Sequence, residues 1–342
     1  MIIAIPKEIS PYEHRVAITP DTTKKFIKLG FQIKIEDNAG EKAGFSNQEY
    51  IHAGAKICAT AQQTYAQANI ILKINSPLTS EDKFLTPDMT IIANFQALNN
   101  KERIKTFAKL GTQCFALDLI PRISRAQPMD ILSSQNNLAG YRAVIETLNH
   151  FNQAVPLMMT SAGTIPPAKI LILGVGVAGL QAIATAKRLG AQVYATDIRP
   201  ETKEQVESLG ATFVEKLTPE FLHKINIIIS TVTVAGQKAP ILLTDSQLQY
   251  LPQNSVILDM AVDSGGNIEG SIANQTIIKH GIIIIGNSHL ESLIPTSASN
   301  LFANNIYNFI VLGFDSKNQQ LSFNLQDEIF LKTCICQNGE IL

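Results

Sequence analysis

Residues 166–199 read PPAKILILGVGVAGLQAIATAKRLGAQVYATDIR, and the fold turns on this stretch. Four apolar residues, Ile170 to Leu173, predict a buried parallel strand. Gly174, Gly176 and Gly179 follow at G-x-G-x-x-G spacing. Ala182, Ala186 and Leu189, with Ile183 widening the stripe, predict a helix. Gly190 stands where that helix should stop. Val193 to Thr196 reads as the next strand, with Asp197 at its carboxyl end.

Each part has a physical job. Gly174 permits a tight turn, Gly176 lets the backbone approach a pyrophosphate, and Gly179 lets helix pack on strand. The helix N-terminus offers unpaired N–H groups and about half a positive charge to phosphates, and Val177, within the turn, joins the cofactor-binding candidates. Asp197 lies 23 positions after Gly174. It is placed to accept hydrogen bonds from an adenosine ribose, and Ile198 and Arg199 follow it at the same edge. A 2′-phosphate would meet the charge of Asp197, so NAD(H) is expected on this chain rather than NADP(H). Arg199 tempers that preference. The bland alternative is a glycine-rich turn with no ligand. The strand before, the helix after and the acid at the right distance argue against it.

At 342 residues, two α/β domains are the natural expectation. The chain is 45% hydrophobic and 17% charged, with a net charge of −1. With no basic stripe, a nucleic-acid partner is not expected. Cys58, Cys114, Cys334 and Cys336 make no zinc pattern, and the six histidines are scattered, so no metal is expected. The opening MIIAIPKEIS lacks the features of a signal peptide. The longest weakly polar run, Ile170 to Ala186, is short for a membrane span and is interrupted by glycines.

Along the chain, strands are expected at Ile2–Ile5, Phe31–Ile35, Ile70–Ile74, Thr90–Phe95 and Gln113–Leu117, with helices near Thr19–Leu29 and Lys101–Leu110. Pro121 to Asp130, PRISRAQPMD, reads as an inter-domain loop, followed by a long helix near Gln135–Asn152. Further strands are expected at Thr212–Val214, Ile225–Ser230, Ser255–Met260 and Ile282–Ile285, and helices near Pro200–Leu209 and Thr244–Leu251. A helical pattern at Thr296–Val311 should return the chain to its first domain. The tail reads as two extended pieces, Gln320–Asn324 and Phe330–Cys336, then an Asn338–Gly339 turn. It should fold on the first domain or on a second subunit. The fold class is therefore α/β: two doubly wound, Rossmann-like parallel-sheet domains with a cleft between them. Their expected extents are 1–131 plus 300–342, and 132–299.

The loop at 121–130, the following LSSQNNLAGYRAV and the fingerprint GVGVAG…DIRPE resemble the soluble NAD(H)-binding component of proton-translocating NAD(P) transhydrogenase. The opening IPKE…HRVAITP and the segment LDMAVDSGGNIEG are similar both to that component and to alanine dehydrogenase. The resemblance maps an Arg, a Gln and an Asp lining the nicotinamide onto Arg122, Gln127 and Asp130. Ser133 is a candidate for the carboxamide. What the resemblance implies is hydride transfer from NADH to NADP⁺ on a partner subunit that binds NADP(H), coupled to proton movement through a membrane-embedded subunit. It also implies a chain peripheral at the cytoplasmic face of the membrane; a homodimer is expected, held partly by the tail around Phe330 to Ile341, because a short hairpin alone is marginal in water. Such transfer needs two rings held at about 3–3.5 Å and no proton acceptor on this chain. Spacing alone favours the bland reading, Arg122 and Asp130 as a loop-fixing ion pair and Gln127 as a solvated residue; the resemblance reverses that preference.

Thr231 and Val232 follow one strand and Asp263 another, at the carboxyl edge where α/β ligands bind. The Ser264–Gly266 turn accounts for Asp263 equally well. The rival activity is amino-acid dehydrogenation. Arg15 and Lys73 match carboxylate-binding positions of alanine dehydrogenase, and Asp263 matches an active-site Asp. That family's catalytic histidine falls at Gln96, which cannot exchange a proton near neutral pH. On the other side, Val214 to Asn226 is shorter than the mobile loop usual in the transhydrogenase component. A third reading is a non-catalytic NAD(H)-binding regulator.

Overall fold

The computed structural model describes residues 1–342 as two compact units, Met1–Gln135 with Ser292–Leu342, and Asn136–Glu291. These breaks fall four residues after the expected 131/132 and eight before the expected 299/300, for reasons visible in the contacts. Ile131 is buried in the first unit's core. Gln135 accepts from Arg15 Nη1 (2.9 Å) and donates to the Ala298 carbonyl (3.1 Å). The first turn of the helix Ile131–His150 therefore belongs to the first unit. The return begins at Ser292, whose hydroxyl accepts from His14 N–H at 2.7 Å.

The first unit carries β1 (Ile2–Ile5), β2 (Gln32–Glu36), β3 (Lys56–Cys58), β4 (Ile70–Asn75), β5 (Thr90–Asn94) and β6 (Gln113–Ala116). They pair in parallel in the order β3-β2-β1-β4-β5-β6. The strand order reverses between β1 and β4, where open α/β sheets offer their binding crevice. The helix Pro20–Lys28 begins at a capping box, Thr19 with Thr22, with proline at its first position.

The second unit opens with an exposed hairpin, β7 (Met158–Thr160) and β8 (Gly163–Ile165). Its main sheet comprises β9 (Lys169–Leu173), β10 (Gln192–Thr196), β11 (Thr212–Phe213), β12 (Ile227–Ser230), β13 (Val256–Asp259), β14 (Gln275–Lys279) and β15 (Ile282–Gly286). The order is β11-β10-β9-β12-β13-β15-β14, parallel except for β14, which runs antiparallel at one edge. β9, β12 and β13 are buried on both faces, as continuous apolar runs require. Here the order reverses between β9 and β12.

The tail departs from the expected pair of extended pieces. After a small hairpin, β16 (Phe314–Asp315) and β17 (Gln320–Leu321), residues Glu328–Thr333 are helical. Asp327 caps that helix, accepting from Ile329 N–H at 2.8 Å. β18 (Cys334–Gln337) then adds antiparallel to β6, and β19 (Glu340–Ile341) closes the edge. Phe330, Cys334, Ile335 and Cys336 are buried within the first unit itself. The tail thus folds on the first unit, one of the two expected alternatives, while Leu331, Ile341 and Leu342 stay exposed. All four cysteines are free thiols. No helix is long and apolar enough to cross a membrane.

Candidate functional site

The reversal point of the second sheet coincides with the glycine turn. Gly174, directly after β9, has φ +95°, which favours glycine. A Cβ there would also meet Val232 Cγ2 at 2.6 Å. A Cβ on Gly179 would stand 1.9 Å from the Gly174 carbonyl oxygen, so the helix Val177–Arg188 can lie this close only with glycine. Gly176 differs from both: a Cβ there would meet nothing within 4 Å. The one glycine expected to face a pyrophosphate faces open space beside the first turn of a 12-residue helix. Gly140 adds a close approach that sequence reading missed. Its Cβ would meet the Ala178 carbonyl oxygen at 2.1 Å, so the long helix needs glycine to pass the turn.

Neighbouring loops fix the turn from below. Thr231 Oγ1 donates to the Gly174 carbonyl at 3.1 Å. Val232 N–H donates to Asn267 Oδ1 at 3.1 Å, and Asn267 Nδ2 donates back to the Val232 carbonyl at 3.0 Å. Asn267 is itself held by Asp259, a fully buried carboxylate. Asp259 accepts from Ala261, Asn267 and Ile268 N–H and from Ser271 Oγ. Sequence reading singled out Asp263 in this segment and missed Asp259. Asp263 is half-exposed, bonded to Ser288 Oγ and 3.4 Å from His289 Nε2.

Asp197 stands at the end of β10 with its carboxylate fully engaged. It accepts from Val175 N–H at 2.7 Å and pairs with Arg199 through Nε and Nη2, each at 2.9 Å. Burial pushes its carboxyl up, but the Arg199 and backbone donors outweigh that and hold it at about 2. Apolar side chains flank the turn: Val177 and, 95% exposed, Ile198.

The 121–130 loop lies in the first unit and is built rather than slack. Ser124–Met129 form a 3₁₀ turn with Ala126 and Met129 buried. Arg125 pairs bidentately with Asp327 at 2.7 Å through each nitrogen. Asn305 Nδ2 donates to the Pro128 carbonyl at 2.7 Å. Asp130 accepts from Ser133 N–H (2.9 Å) and Ser133 Oγ (2.5 Å), which makes it the cap of the long helix. Asp130 is therefore not paired with Arg122, and the loop is fixed by Arg125, which sequence reading passed over. Arg122 and Gln127 are exposed.

The reversal point of the first sheet is filled by ions instead. Arg15 holds Glu13 through Nε (2.7 Å) and Nη2 (2.6 Å). Lys73, 1% exposed, lies 3.3 Å from Glu8 and 3.1 Å from Glu81. Gln96 is exposed at φ +47° and carries no titratable proton.

Two family models match, the alanine dehydrogenase/PNT N-terminal domain over residues 4–139 and the corresponding C-terminal domain over 143–342. The first segment of NAD(P) transhydrogenase subunit alpha from Rhodospirillum rubrum is 42% identical, covering 100% of this chain and 98% of its own. A transhydrogenase structure from Sinorhizobium meliloti superposes with a TM-score of 0.92 at 41% identity, over 100% and 99% of the two chains. An L-alanine dehydrogenase structure gives a TM-score of 0.88 at 26% identity, over 100% and 97%.

Proposed function

Since this chain belongs to the alanine dehydrogenase/PNT family, and within it to the alpha subunits of NAD(P) transhydrogenase, we propose that it is the NAD(H)-binding half of a proton-translocating transhydrogenase. Its glycine turn fits the cofactor: Gly176 leaves the space a pyrophosphate needs, beside helix N–H groups that favour an anion. Bound NADH supplies the hydride. The residues of this chain bind and orient. The turn Gly174–Gly179 and the helix N-terminus take the diphosphate, and Asp197 takes the adenosine ribose. Val177, Ile198, Thr231 and Val232 shape the walls around it. By the resemblance, Gln127 and Arg122, on a loop fixed at Asp327 and Asn305, would hold the nicotinamide. Asp130 and Ser133, bonded to one another, set the end of that loop.

The acceptor, NADP⁺, belongs to a partner chain that binds NADP(H), and the proton path to a membrane-embedded subunit. This chain would work as a homodimer, peripheral at the cytoplasmic face of that membrane. The observation that carries the reading against amino-acid dehydrogenation is Gln96. Deamination passes through an imine that activated water must attack, and Gln96 has no proton to exchange. The neighbouring cations, Arg15 and Lys73, are engaged by internal carboxylates.

The decisive experiment mixes the purified chain with an NADP(H)-binding transhydrogenase subunit and follows hydride transfer from NADH to NADP⁺. Transfer is expected, and NAD⁺ reduction by L-alanine is not, even at high pH. Alanine turnover at about 1–1000 per second, the ordinary range for enzymes, would overturn the assignment.

A further inference from the structure

A carboxylate offers about four lone-pair sites, and Asp197 has all four filled. Oδ1 accepts from Arg199 N–H and Arg199 Nε, each at 2.9 Å. Oδ2 accepts from Val175 N–H at 2.7 Å and Arg199 Nη2 at 2.9 Å. The two backbone donors belong to the turn and to the loop after β10, so they cannot leave without unmaking both. The other two belong to one side chain. Arg199 is 51% exposed and Asp197 only 7%. The guanidinium can swing into water, whereas the carboxylate is fixed. A ribose diol arriving at Asp197 needs two acceptor sites, and those within its reach are the two that Arg199 holds.

We infer that Arg199 is a displaceable latch on the ribose-binding carboxylate: the adenosine ribose binds by exchanging its hydroxyls for Nε and Nη2 of Arg199. This rests on the NAD(H) reading of the turn and deepens it by naming a residue that sets affinity through competition. In the closed state Arg199 also donates to the Val175 carbonyl at 3.2 Å, so the latch ties the acid to the phosphate turn. It keeps Asp197 ionised and aimed before cofactor arrives. Displacement then leaves a cation beside the ribose, where it offsets some of the repulsion that Asp197 exerts on a 2′-phosphate.

The sign of the effect is the test. A half-exposed ion pair is worth about 0.2–1 kcal/mol. Arg199→Met, which keeps the stem and removes the competitor, should therefore tighten NADH about 1.5- to 5-fold in a fluorescence titration. It should weaken NADPH over the same series. In an Asp197→Asn background, where the charge pair is lost and one acceptor oxygen remains, the gain from Arg199→Met should be smaller. Weaker NADH binding by the single variant would mean that Arg199 contacts the cofactor and would overturn the latch. An equal gain in the Asp197→Asn background would place its action elsewhere and would also overturn it. Absence of NADH binding by the unmodified chain would instead remove the nucleotide reading itself.

Discussion

Glu8 and Asp197 are both acids at sheet edges, and their surroundings drive them in opposite directions. Glu8 lies against Lys73, Glu81 and Glu13, with its Oε1 accepting from Ile74 N–H at 2.7 Å. Burial pushes its carboxyl up to about 7; Lys73 opposes this and Glu13 adds to it. Between pH 4.5 and about 7 the folded chain holds a proton that the unfolded chain has lost. Stability from this group therefore falls as pH rises through that window. Thermal unfolding at pH 5 and pH 8 should show that fall in the unmodified chain and a smaller one in Glu8→Gln; equal slopes would rule Glu8 out as the cause. Asp197 is held ionised, so its removal tells on binding. Asp197→Ala should weaken NADH by about 1.5–3 kcal/mol, the range for a charged hydrogen bond, and equal affinity for NADH and NADPH in the unmodified chain would sink its role. Asp197 was legible from spacing alone. Its engagement by Arg199 was not, because two residues of separation say nothing about which way a guanidinium turns. Asp259 was equally hidden: a buried acid satisfied by three N–H groups and a hydroxyl looks, in sequence, like any loop acid.

Among elements, the glycine turn makes a paired prediction. Gly176→Ala places a methyl in open space and should leave thermal stability nearly unchanged while weakening NADH, because the space is the pyrophosphate's. Gly179→Ala drives a methyl against the Gly174 carbonyl at 1.9 Å and should destabilise the chain by about 1–3 kcal/mol or more. If both variants lose stability alike, or neither loses NADH binding, the division of labour within the turn is wrong. The 121–130 loop makes a second prediction. Gln127→Asn withdraws the amide by one methylene and should slow single-turnover transfer on the order of a hundredfold, with little change in NADH affinity. Unchanged transfer in the reconstituted pair would show that Gln127 does not position the ring. The strands and helices around the turn were readable because long apolar runs and capped amphipathic helices leave strong periodic signals. The elements that were not readable lack such signals. β7 and β8 are exposed on both faces, so nothing in them alternates. β14 is an antiparallel edge strand fixed only by pairing with β15. The stretch at Phe330 reads as extended from its apolar residues, yet the Asp327 cap makes it helical.

For the whole molecule, the question is what makes a second copy of this chain a partner. The tail is a poor candidate. Ending the chain near Lys317 would strip Ile329, Phe330 and Cys334 from the first unit's core, and any resulting aggregation would report misfolding rather than a lost interface. The β7–β8 hairpin is the better one. Leu157, Met158, Met159 and Ile165 are 56%, 45%, 77% and 44% exposed, on a two-stranded element that is marginal by itself in water. A cluster of exposed apolar side chains is the kind of surface that a partner covers. In the homodimer proposed above, this hairpin is what the second copy would cover. Sedimentation of the unmodified 37.3 kDa chain should give a dimer. Met159→Glu should shift it toward monomer, because a carboxylate forced into a dry interface loses its water without gaining a partner. The substitution touches no core residue, so NADH titration of the monomer should still report one folded site per chain. A Met159→Glu protein that remains fully dimeric would remove the hairpin from the interface, and a monomeric unmodified chain would remove the interface itself.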